Sequence, residues 1–361
     1  MGTKPLRVGF IGLNPDSHWA ATAHLPALAT LSDKFVVTGV ANSTLESAKH
    51  TAQVLNLPYA FESAKALAQS DDIDVVVVTV KVPYHFELVS TALEAGKHVY
   101  CEWPLGNGLE EARQLATLAK DKNVVAVAGT QARAALEVEH LTALIKDGYV
   151  GKVLSSSLIG SGGNWSSSTI DEYYYLFENK NGANMLTIPL AHTLAAMKDV
   201  LGDVDHLSSQ YVYNFPTVEI IDKNETRDNT TPDQIMINGQ FTSGAALSVH
   251  YRGGVSRGTN LLWEINGTEG DIQVTADLGH AQMVQLTIKG AKGDDKVLQE
   301  LMPEKALYEN LPEFAGARNI ARMYERMYND IQNGTSTAPN FSDAVLLHEL
   351  VDQIESSATN F

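Results

Sequence analysis

The sequence has a single cysteine, Cys101, among 361 residues. One cysteine excludes an intrachain disulfide and a cage of thiolate metal ligands, and it is typical of a reducing compartment. Long hydrophobic segments are also missing, since no run approaches the roughly 18 continuous apolar residues that a membrane span requires. The first residues, MGTKPLRVGFIG, lead directly into a predicted strand without the apolar segment of a signal peptide. We therefore expect a cytoplasmic protein with no membrane association.

Basic residues are scarce, with 26 Lys and Arg against 43 Asp and Glu and a formal net charge of −17. Affinity for nucleic acid depends on Lys and Arg that neutralise phosphates, so direct binding of nucleic acid is not expected. No cluster of His and carboxylates has the spacing of metal ligands, and the sequence contains neither a Gly-x-Ser-x-Gly elbow nor a Walker lysine. These absences argue against a metal site and against hydrolase and NTPase functions.

A chain of this length is expected to form two domains, which we place at residues 1–131 and 132–361. In the first, short β-rich runs alternate with helical patterns, which is typical of a parallel α/β sheet with crossover helices. The predicted strands are 7–11, 35–41, 75–80, 98–101 and 124–128. This pattern predicts a doubly wound, Rossmann-like domain.

The second domain has a different sequence pattern. Long stretches alternate polar and apolar residues and are joined by Gly and Asn turns, which predicts an α+β domain with a large, mainly antiparallel open sheet. Two terminal helices follow, the second with Ser342 as the expected N-cap. The last helix is a candidate to pack back on the first domain.

The turn after the first predicted strand carries a weakened phosphate-binding fingerprint. A G-x-G-x-x-G motif places glycines where the backbone approaches a pyrophosphate at a helix N-terminus. Here Gly12 holds the first position, Leu13 follows it, Asn14 holds the second and Ser17 roughly the third. Asn tolerates left-handed φ and Ser is small, so the turn can still bind phosphate. The alternative is an ordinary turn between a strand and a helix.

Residues after the second predicted strand bear on the choice between NAD and NADP. An NAD site usually carries Asp or Glu there for the ribose hydroxyls, whereas this chain has Asn42, Ser43 and Thr44. These uncharged side chains would not repel a 2′-phosphate, so either cofactor is admissible. Ser43 or Thr44 can also cap the helix that follows, and both roles are compatible.

Three more segments follow the carboxyl ends of strands, where ligands bind in open α/β sheets. Their candidate residues are Val80, Lys81, Pro83, His85, Glu102, Trp103, Pro104, Gln131 and Arg133. Arg133 can bind a substrate carboxylate or a cofactor phosphate, or form a salt bridge within the protein. Lys81 is a candidate catalytic cation, and a solvated loop lysine is the alternative.

Taken together, the layout resembles the glucose-fructose oxidoreductase and inositol dehydrogenase family over nearly the whole chain. The matching segments are KVPYHFELV, CEWPLG, GTQAR, KDGYVGKV, INGTEGDIQV and DAVLLHELVDQI. The resemblance implies a Rossmann-like domain that binds NAD or NADP and a second domain that forms homodimers. The first turn, Glu102-Trp103, the segment 162–165 and the Thr- and Ile-rich sequence before His192 are most similar to the galactose-regulon repressor branch. That branch binds NAD(P) and inhibits a transcription activator.

Two departures from the family pattern concern catalysis. Family enzymes have Glu-Lys-Pro where this chain has Glu102-Trp103-Pro104, and an Asp where this chain has Ile188, four residues before His192. The family lysine helps to move a substrate proton, which Trp103 cannot do, although its flat face can stack on a nicotinamide or close a pocket. His192 remains a candidate general acid or base, with a structural histidine as the alternative. The family precedent gives Glu102 a contact with the nicotinamide ribose or carboxamide.

The segment GGNWSSSTIDEYYYLFENKNG adds aromatic side chains. Trp165, Tyr173 and Tyr174 can wall a substrate pocket together with Trp103, Arg133 and His192, and Tyr174 can donate a proton. They can equally cover a sheet face or form a dimer contact.

Two functions therefore stay open. The first, which we favour, is an NAD(P)-dependent oxidoreductase that acts on a polyhydroxylated or cyclic small molecule without the family lysine. The second is a non-catalytic NAD(P)-sensing regulator, nuclear or cytoplasmic, that binds an activator protein. The retained Glu102 and His192 favour the first, and the missing Lys and Asp favour the second.

Overall fold

The structure, a computed structural model, describes residues 4–16 and 18–360, so Ser17 lies outside the described residues. The chain forms two compact units. The first consists of residues up to 130 together with 310–348, and the second of residues 131–309 together with 349 onward. Residues 310–348, which the sequence analysis assigns to the second domain, thus belong to the first unit.

Within its described residues, the first unit contains a six-stranded parallel sheet in the order β3-β2-β1-β4-β5-β6. Its strands are β1 (Leu6–Ile11), β2 (Phe35–Ala41), β3 (Tyr59–Ala60), β4 (Val75–Val78), β5 (His98–Glu102) and β6 (Ala126–Gly129). Its crossover helices are α1 (Leu25–Ala29), α2 (Leu45–Leu55), α3 (Ala64–Ala68), α4 (His85–Glu94) and α5 (Leu109–Lys122). All four valines of β4 are fully buried, because helices cover both faces of the sheet. The predicted doubly wound domain is confirmed.

The second unit is built around a nine-stranded sheet in the order β17-β16-β15-β14-β7-β13-β12-β9-β18, counted over the described part of the chain. Its helices are α6 (Leu136–Lys146) and α7 (Ala191–Leu201). Its strands are β7 (Val153–Ser161), β8 (Ser168–Thr169), β9 (Val204–Val212), β10 (Thr217–Ile220), β11 (Glu225–Asp228), β12 (Gln234–Phe241), β13 (Ala246–Arg252), β14 (Leu261–Gly267), β15 (Gly270–Ala276), β16 (Thr287–Lys292), β17 (Gln299–Glu300) and β18 (Ala358–Asn360).

Most neighbouring strands of this sheet are antiparallel, while β7 pairs with β13 and β9 with β18 in parallel. Strands β8, β10 and β11 form a small separate sheet. The predicted α+β domain with a large, mainly antiparallel sheet is therefore confirmed. None of the helices in the described ranges combines the length and hydrophobicity that crossing a membrane needs.

Two long helices follow, α8 (Ala315–Asn333) and α9 (Phe341–Ser356). Helix α8 buries Ile320, Tyr324 and Met327, which recur at the spacing of one helix face, and the Tyr324 ring lies 5.4 Å from that of Phe35 in β2. The predicted N-cap of α9 is corrected. The side chain of Asn340, not Ser342, accepts the backbone hydrogen bonds of the first turn, from Ser342 at 2.8 Å and from Asp343 at 3.1 Å.

Candidate functional site

The turn after β1 needs glycine at its first position. Gly12 has φ of +95°, and a Cβ built on it would lie 2.5 Å from Cγ1 of Val80. The Gly12 N–H donates to the carbonyl of Ala41 at 3.0 Å, and the Thr79 hydroxyl donates to the Gly12 carbonyl at 2.9 Å. The backbone of the turn is therefore pressed against the carboxyl ends of β2 and β4. This cradle fits the close approach of a dinucleotide pyrophosphate.

The structure gives Asn42 a role in shaping that turn. Its side-chain oxygen accepts from the Leu13 N–H at 3.0 Å, and its amide donates to the Leu13 carbonyl at 2.9 Å. Thr44 is the N-cap of α2, since its hydroxyl accepts from the Ser47 N–H at 3.1 Å. Asn14 is exposed and its side chain accepts from the Asp16 N–H. The segment after β2 thus presents Ser43 outward, while Asn42 and Thr44 make local contacts.

His85 joins the ends of two strands. Its ring is 1% exposed, with Nδ1 2.7 Å from the Pro104 carbonyl and Nε2 2.9 Å from the Val80 carbonyl. Burial lowers the pKa of His85. Lys81 and Pro83 are exposed in the same segment. His85 therefore ties the segment after β4 to the segment after β5.

Glu102 ends β5, and its side chain is 12% exposed. Its Oε1 lies 3.1 Å from Nε2 of His24, and Nδ1 of His24 lies 2.8 Å from the Tyr324 hydroxyl. Sequence reasoning missed His24 and Tyr324. A sequence signal for His24 was available. It lies on the helix face that Ala20, Ala23 and Ala27 mark as buried by their spacing, and a histidine on a buried face needs a hydrogen-bond partner.

Trp103 is packed in the interior of the first unit. It is 5% exposed, and its ring centroid lies 4.5 Å from that of His348 in α9, at an interplanar angle of 43°. Burial lowers the pKa of His348 to about 4, against a hydrogen bond to the Leu105 backbone that raises it. The indole thus packs against a neutral imidazole where the family enzymes have a lysine.

His192 lies in α7 of the second unit and is 3% exposed. Within the described residues its Nδ1 has no hydrogen-bond partner. Burial, and to a lesser extent His280, lowers the pKa of His192 to about 3. In this state the imidazole is neutral near pH 7, and it cannot supply a proton as a general acid there.

Two other candidates of the second unit are engaged in internal contacts. Arg133 forms a bidentate pair with Asp199, with Nε–Oδ2 2.7 Å and Nη2–Oδ1 3.0 Å. This is the salt bridge that the sequence analysis left as the alternative to ligand binding. Gln131 is fully buried just before it.

The aromatic segment is only partly open. Trp165 is 1% exposed, and its Nε1 donates to the Leu176 carbonyl at 2.8 Å. The Tyr174 hydroxyl donates to the Asp228 carbonyl at 2.9 Å, beneath the Arg227 guanidinium, and burial raises the pKa of Tyr174. Tyr173 is 41% exposed. Of the three aromatic residues predicted to line a substrate pocket, Trp165, Tyr173 and Tyr174, only Tyr173 has an exposed side chain.

No group of three or more His, Cys, Asp or Glu in residues 4–16 and 18–360 is arranged to hold a metal ion. A dinucleotide fits this edge of the sheet better than a metal ion does. Gly12 leaves space beside Val80 that a Cβ would fill, and the nearby strand ends supply polar groups. The residues that would hold it are Gly12, Leu13, Asn14, Ser43 and Glu102.

Comparisons with known proteins agree with this geometry. Residues 6–130 match the model of the oxidoreductase family with an NAD-binding Rossmann fold, and residues 137–276 match the model of the Gal80p C-terminal domain. The galactose/lactose metabolism regulatory protein GAL80 of Kluyveromyces lactis is 30% identical over 306 residues, which cover 79% of this chain and 67% of that protein. The dehydrogenase aclE of Aspergillus oryzae is 29% identical over 369 residues, which cover 99% of this chain and 97% of that protein.

A solved structure gives the same result for the fold. The crystal structure of a super-repressor mutant of Gal80p from Saccharomyces cerevisiae has a TM-score of 0.89 at 25% identity and covers 98% of this chain and 95% of its own. The family resemblance seen in the sequence is confirmed. This chain belongs to the Gfo/Idh/MocA oxidoreductase family, near its Gal80 branch.

Proposed function

We propose that this protein is an NAD(P)-dependent oxidoreductase that acts on a polyhydroxylated or cyclic small molecule without the family lysine. A bound nicotinamide supplies the redox chemistry by accepting or donating hydride. The protein itself holds the dinucleotide through the cradle at Gly12, through Ser43 and through Glu102. Both NAD and NADP fit, because residues 42–44 include neither an acid that repels a 2′-phosphate nor an Arg that selects it.

The observation that carries this proposal is the placement of Glu102. Its carboxylate is nearly buried at the carboxyl end of β5, where it costs free energy unless it is hydrogen-bonded. His24, itself fully buried, supplies one such bond. Packing of a parallel sheet does not require a carboxylate at this position. A fixed acceptor at the ligand-binding edge is what orientation of a nicotinamide ribose or carboxamide needs.

Oxidation of an alcohol also needs a group that takes the hydroxyl proton. Lys81 is exposed in the segment after β4, and we assign it the role of the missing lysine. In the second unit, we propose His192 as a substrate-binding residue whose imidazole is neutral near pH 7, because its pKa is about 3. The hydroxyl of Tyr174, the other proposed proton donor, donates to the Asp228 carbonyl. Tyr173, also in the second unit, is 41% exposed and offers a ring of the kind on which sugars pack.

Lys81→Met is expected to lower kcat by about 100-fold or more, as loss of a general acid–base does, and to leave the Kd of the dinucleotide within about twofold. Nicotinamide absorbance is followed with each oxidised and reduced cofactor and a panel of sugars, inositols and small carbonyl compounds. Lys120→Met is the matched control, since Lys120 is exposed near the opposite end of the sheet in α5. Cofactor binding without turnover of any panel member would count against the oxidoreductase.

The regulator is the second candidate, and the burial of Trp103 favours it. The indole and Ile188 stand where the family enzymes have two polar catalytic groups, and GAL80 proteins of two yeasts are among the relatives. A pull-down from lysate with and without dinucleotide separates the two functions. A protein retained only with dinucleotide, together with a silent redox assay, would support the regulator. We further propose a cytoplasmic location, or a nuclear one for the regulator.

We also propose a homodimer formed through the open face of the nine-stranded sheet. Ile159 of β7 pairs with Leu262 of β14 and with His250 of β13, and Met236 of β12 continues the row. Ile159 is 39% exposed, and the other three are half-buried. Three of these four side chains are apolar, and apolar side chains in the middle of an exposed sheet face are typical of an interface between copies.

Ile159→Glu is expected to raise the dimer dissociation constant by about 100-fold or more, because a carboxylate would be buried in an apolar interface. Light scattering over a concentration series measures it. Leu154→Glu is the matched control, because Leu154 is a 50% exposed residue near the start of the same strand and lies outside the row that pairs with Leu262 and His250. A wild-type monomer, or equal effects of both variants, would rule this interface out.

A further inference from the structure

A buried hydrogen-bonded chain runs from α8 to the carboxyl edge of the sheet. The Tyr324 hydroxyl lies 2.8 Å from Nδ1 of His24, and Nε2 of His24 lies 3.1 Å from Oε1 of Glu102. Tyr324 and His24 are 0% exposed, and the Glu102 side chain is 12% exposed. One end of the chain is thus sealed in the core, and the other end reaches the surface.

The partners determine which way the hydrogen bonds point. A carboxylate only accepts, so Nε2 of His24 carries the proton, and in the tautomer protonated at Nε2 alone, Nδ1 accepts from the Tyr324 hydroxyl. Burial, and then Glu102, raises the pKa of Tyr324 well above its usual value, so the hydroxyl remains a donor. Each of the three side chains therefore sets whether its neighbour donates or accepts the hydrogen bond.

Aromatic rings hold His24 in place. The rings of Phe10, Tyr100 and Tyr324 lie edge-on to it, with centroids 5.9, 5.2 and 5.7 Å away. An imidazole enclosed in this way has one orientation available, and the orientation aims Nε2 at Glu102.

We infer that His24 and Tyr324 are positioning residues that hold Glu102 in the orientation needed to bind the nicotinamide half of the dinucleotide. This inference rests on the proposed cofactor site. It assigns the pair no contact with the ligand, because both side chains are sealed in the core. A purely structural role would change the stability of the first unit and would affect all parts of the dinucleotide alike.

The two halves of the dinucleotide allow a direct test. ADP contains the adenosine and pyrophosphate parts but lacks both the nicotinamide and its ribose, so it depends on the Gly12 cradle without depending on a contact to the nicotinamide half. The dissociation constants of NAD⁺ and ADP are measured by calorimetry for the wild type, His24→Leu, His24→Gln and Tyr324→Phe. Glutamine keeps a side-chain N–H donor that can reach Glu102, whereas leucine removes it.

His24→Leu is expected to weaken NAD⁺ binding by about tenfold and ADP binding by less than about twofold, the first being the effect of one lost hydrogen bond to a charged group. His24→Gln is expected to restore most of the NAD⁺ affinity, and Tyr324→Phe to cost about threefold. These two variants keep the test decisive if the leucine variant does not fold. Equal loss for both ligands, or no loss for NAD⁺, would overturn the positioning role. A wild type that binds both ligands but turns over no substrate would refute the oxidoreductase alone, and a wild type that binds neither would overturn both proposals.

Discussion

Trp103→Lys is expected to destabilise the first unit instead of restoring the catalysis of the family enzymes. The indole is 5% exposed and lies against His348, whose pKa of about 4 reports a site that disfavours charge. Removal of a buried aromatic side chain costs about 3–5 kcal/mol, and burial of an ammonium adds to this. At roughly 2–4 °C per kcal/mol for a unit of this size, Tm should fall by about 6–20 °C.

The measurement is thermal unfolding, combined with the redox assay on the surviving folded fraction. Trp103→Phe is the control, because it keeps a ring against His348 and should cost about 1–2 kcal/mol. A lysine variant with unchanged Tm that gains turnover on a sugar or inositol would show that the pocket accepts the family cation. It would also show that Trp103 alone blocks the usual mechanism.

Gly12→Ala has the second large expected effect, a loss of dinucleotide affinity by about 100-fold or more. Alanine at φ of +95° is strained by about 1–2 kcal/mol, and its Cβ would overlap Val80 Cγ1 at 2.5 Å. The turn can relieve this overlap only by moving away from β4. The backbone of residues 12–14 would then leave the position from which it approaches a pyrophosphate.

Gly96→Ala is the control that separates backbone strain from the overlap of the new Cβ with a neighbour. Gly96 also has a positive φ, of +73°, but nothing lies within 4 Å of the position of its Cβ. It should therefore show the strain in thermal unfolding and leave the Kd of NAD⁺ within about twofold. If Gly12→Ala binds NAD⁺ as the wild type does, the cradle is not the phosphate site.

Much of the fold follows from local pattern. The alternation of apolar strands with helical segments predicts the doubly wound sheet, and period-two alternation predicts the large second sheet. Strand β3 has two residues, so it leaves no periodic signal and was not predicted. The return of α8 to the first unit was not predicted either, because an amphipathic helix shows which face is buried without showing what covers it.

The candidate site is predictable to a lesser extent, because side-chain roles depend on partners far away in sequence. Arg133 is neutralised by Asp199, 66 residues later, and His24 meets Tyr324 across 300 residues. The sequence could name Arg133 as a candidate but could not choose between ligand and salt bridge. Asn42 shows the same limit at shorter range, since a single amide serves a turn 29 residues before it.

The order of the two units along the chain has a consequence for folding during synthesis. Most of the first unit precedes the second unit along the chain, yet α8, which covers Phe35 with Tyr324, comes from residues 310–348. On the ribosome, the nucleotide-binding sheet must therefore wait, with part of its apolar surface uncovered, until nearly all of the second unit has been synthesised. A fragment that ends near residue 130 would keep that surface exposed, and would lack the Tyr324 hydroxyl on which His24 and Glu102 depend.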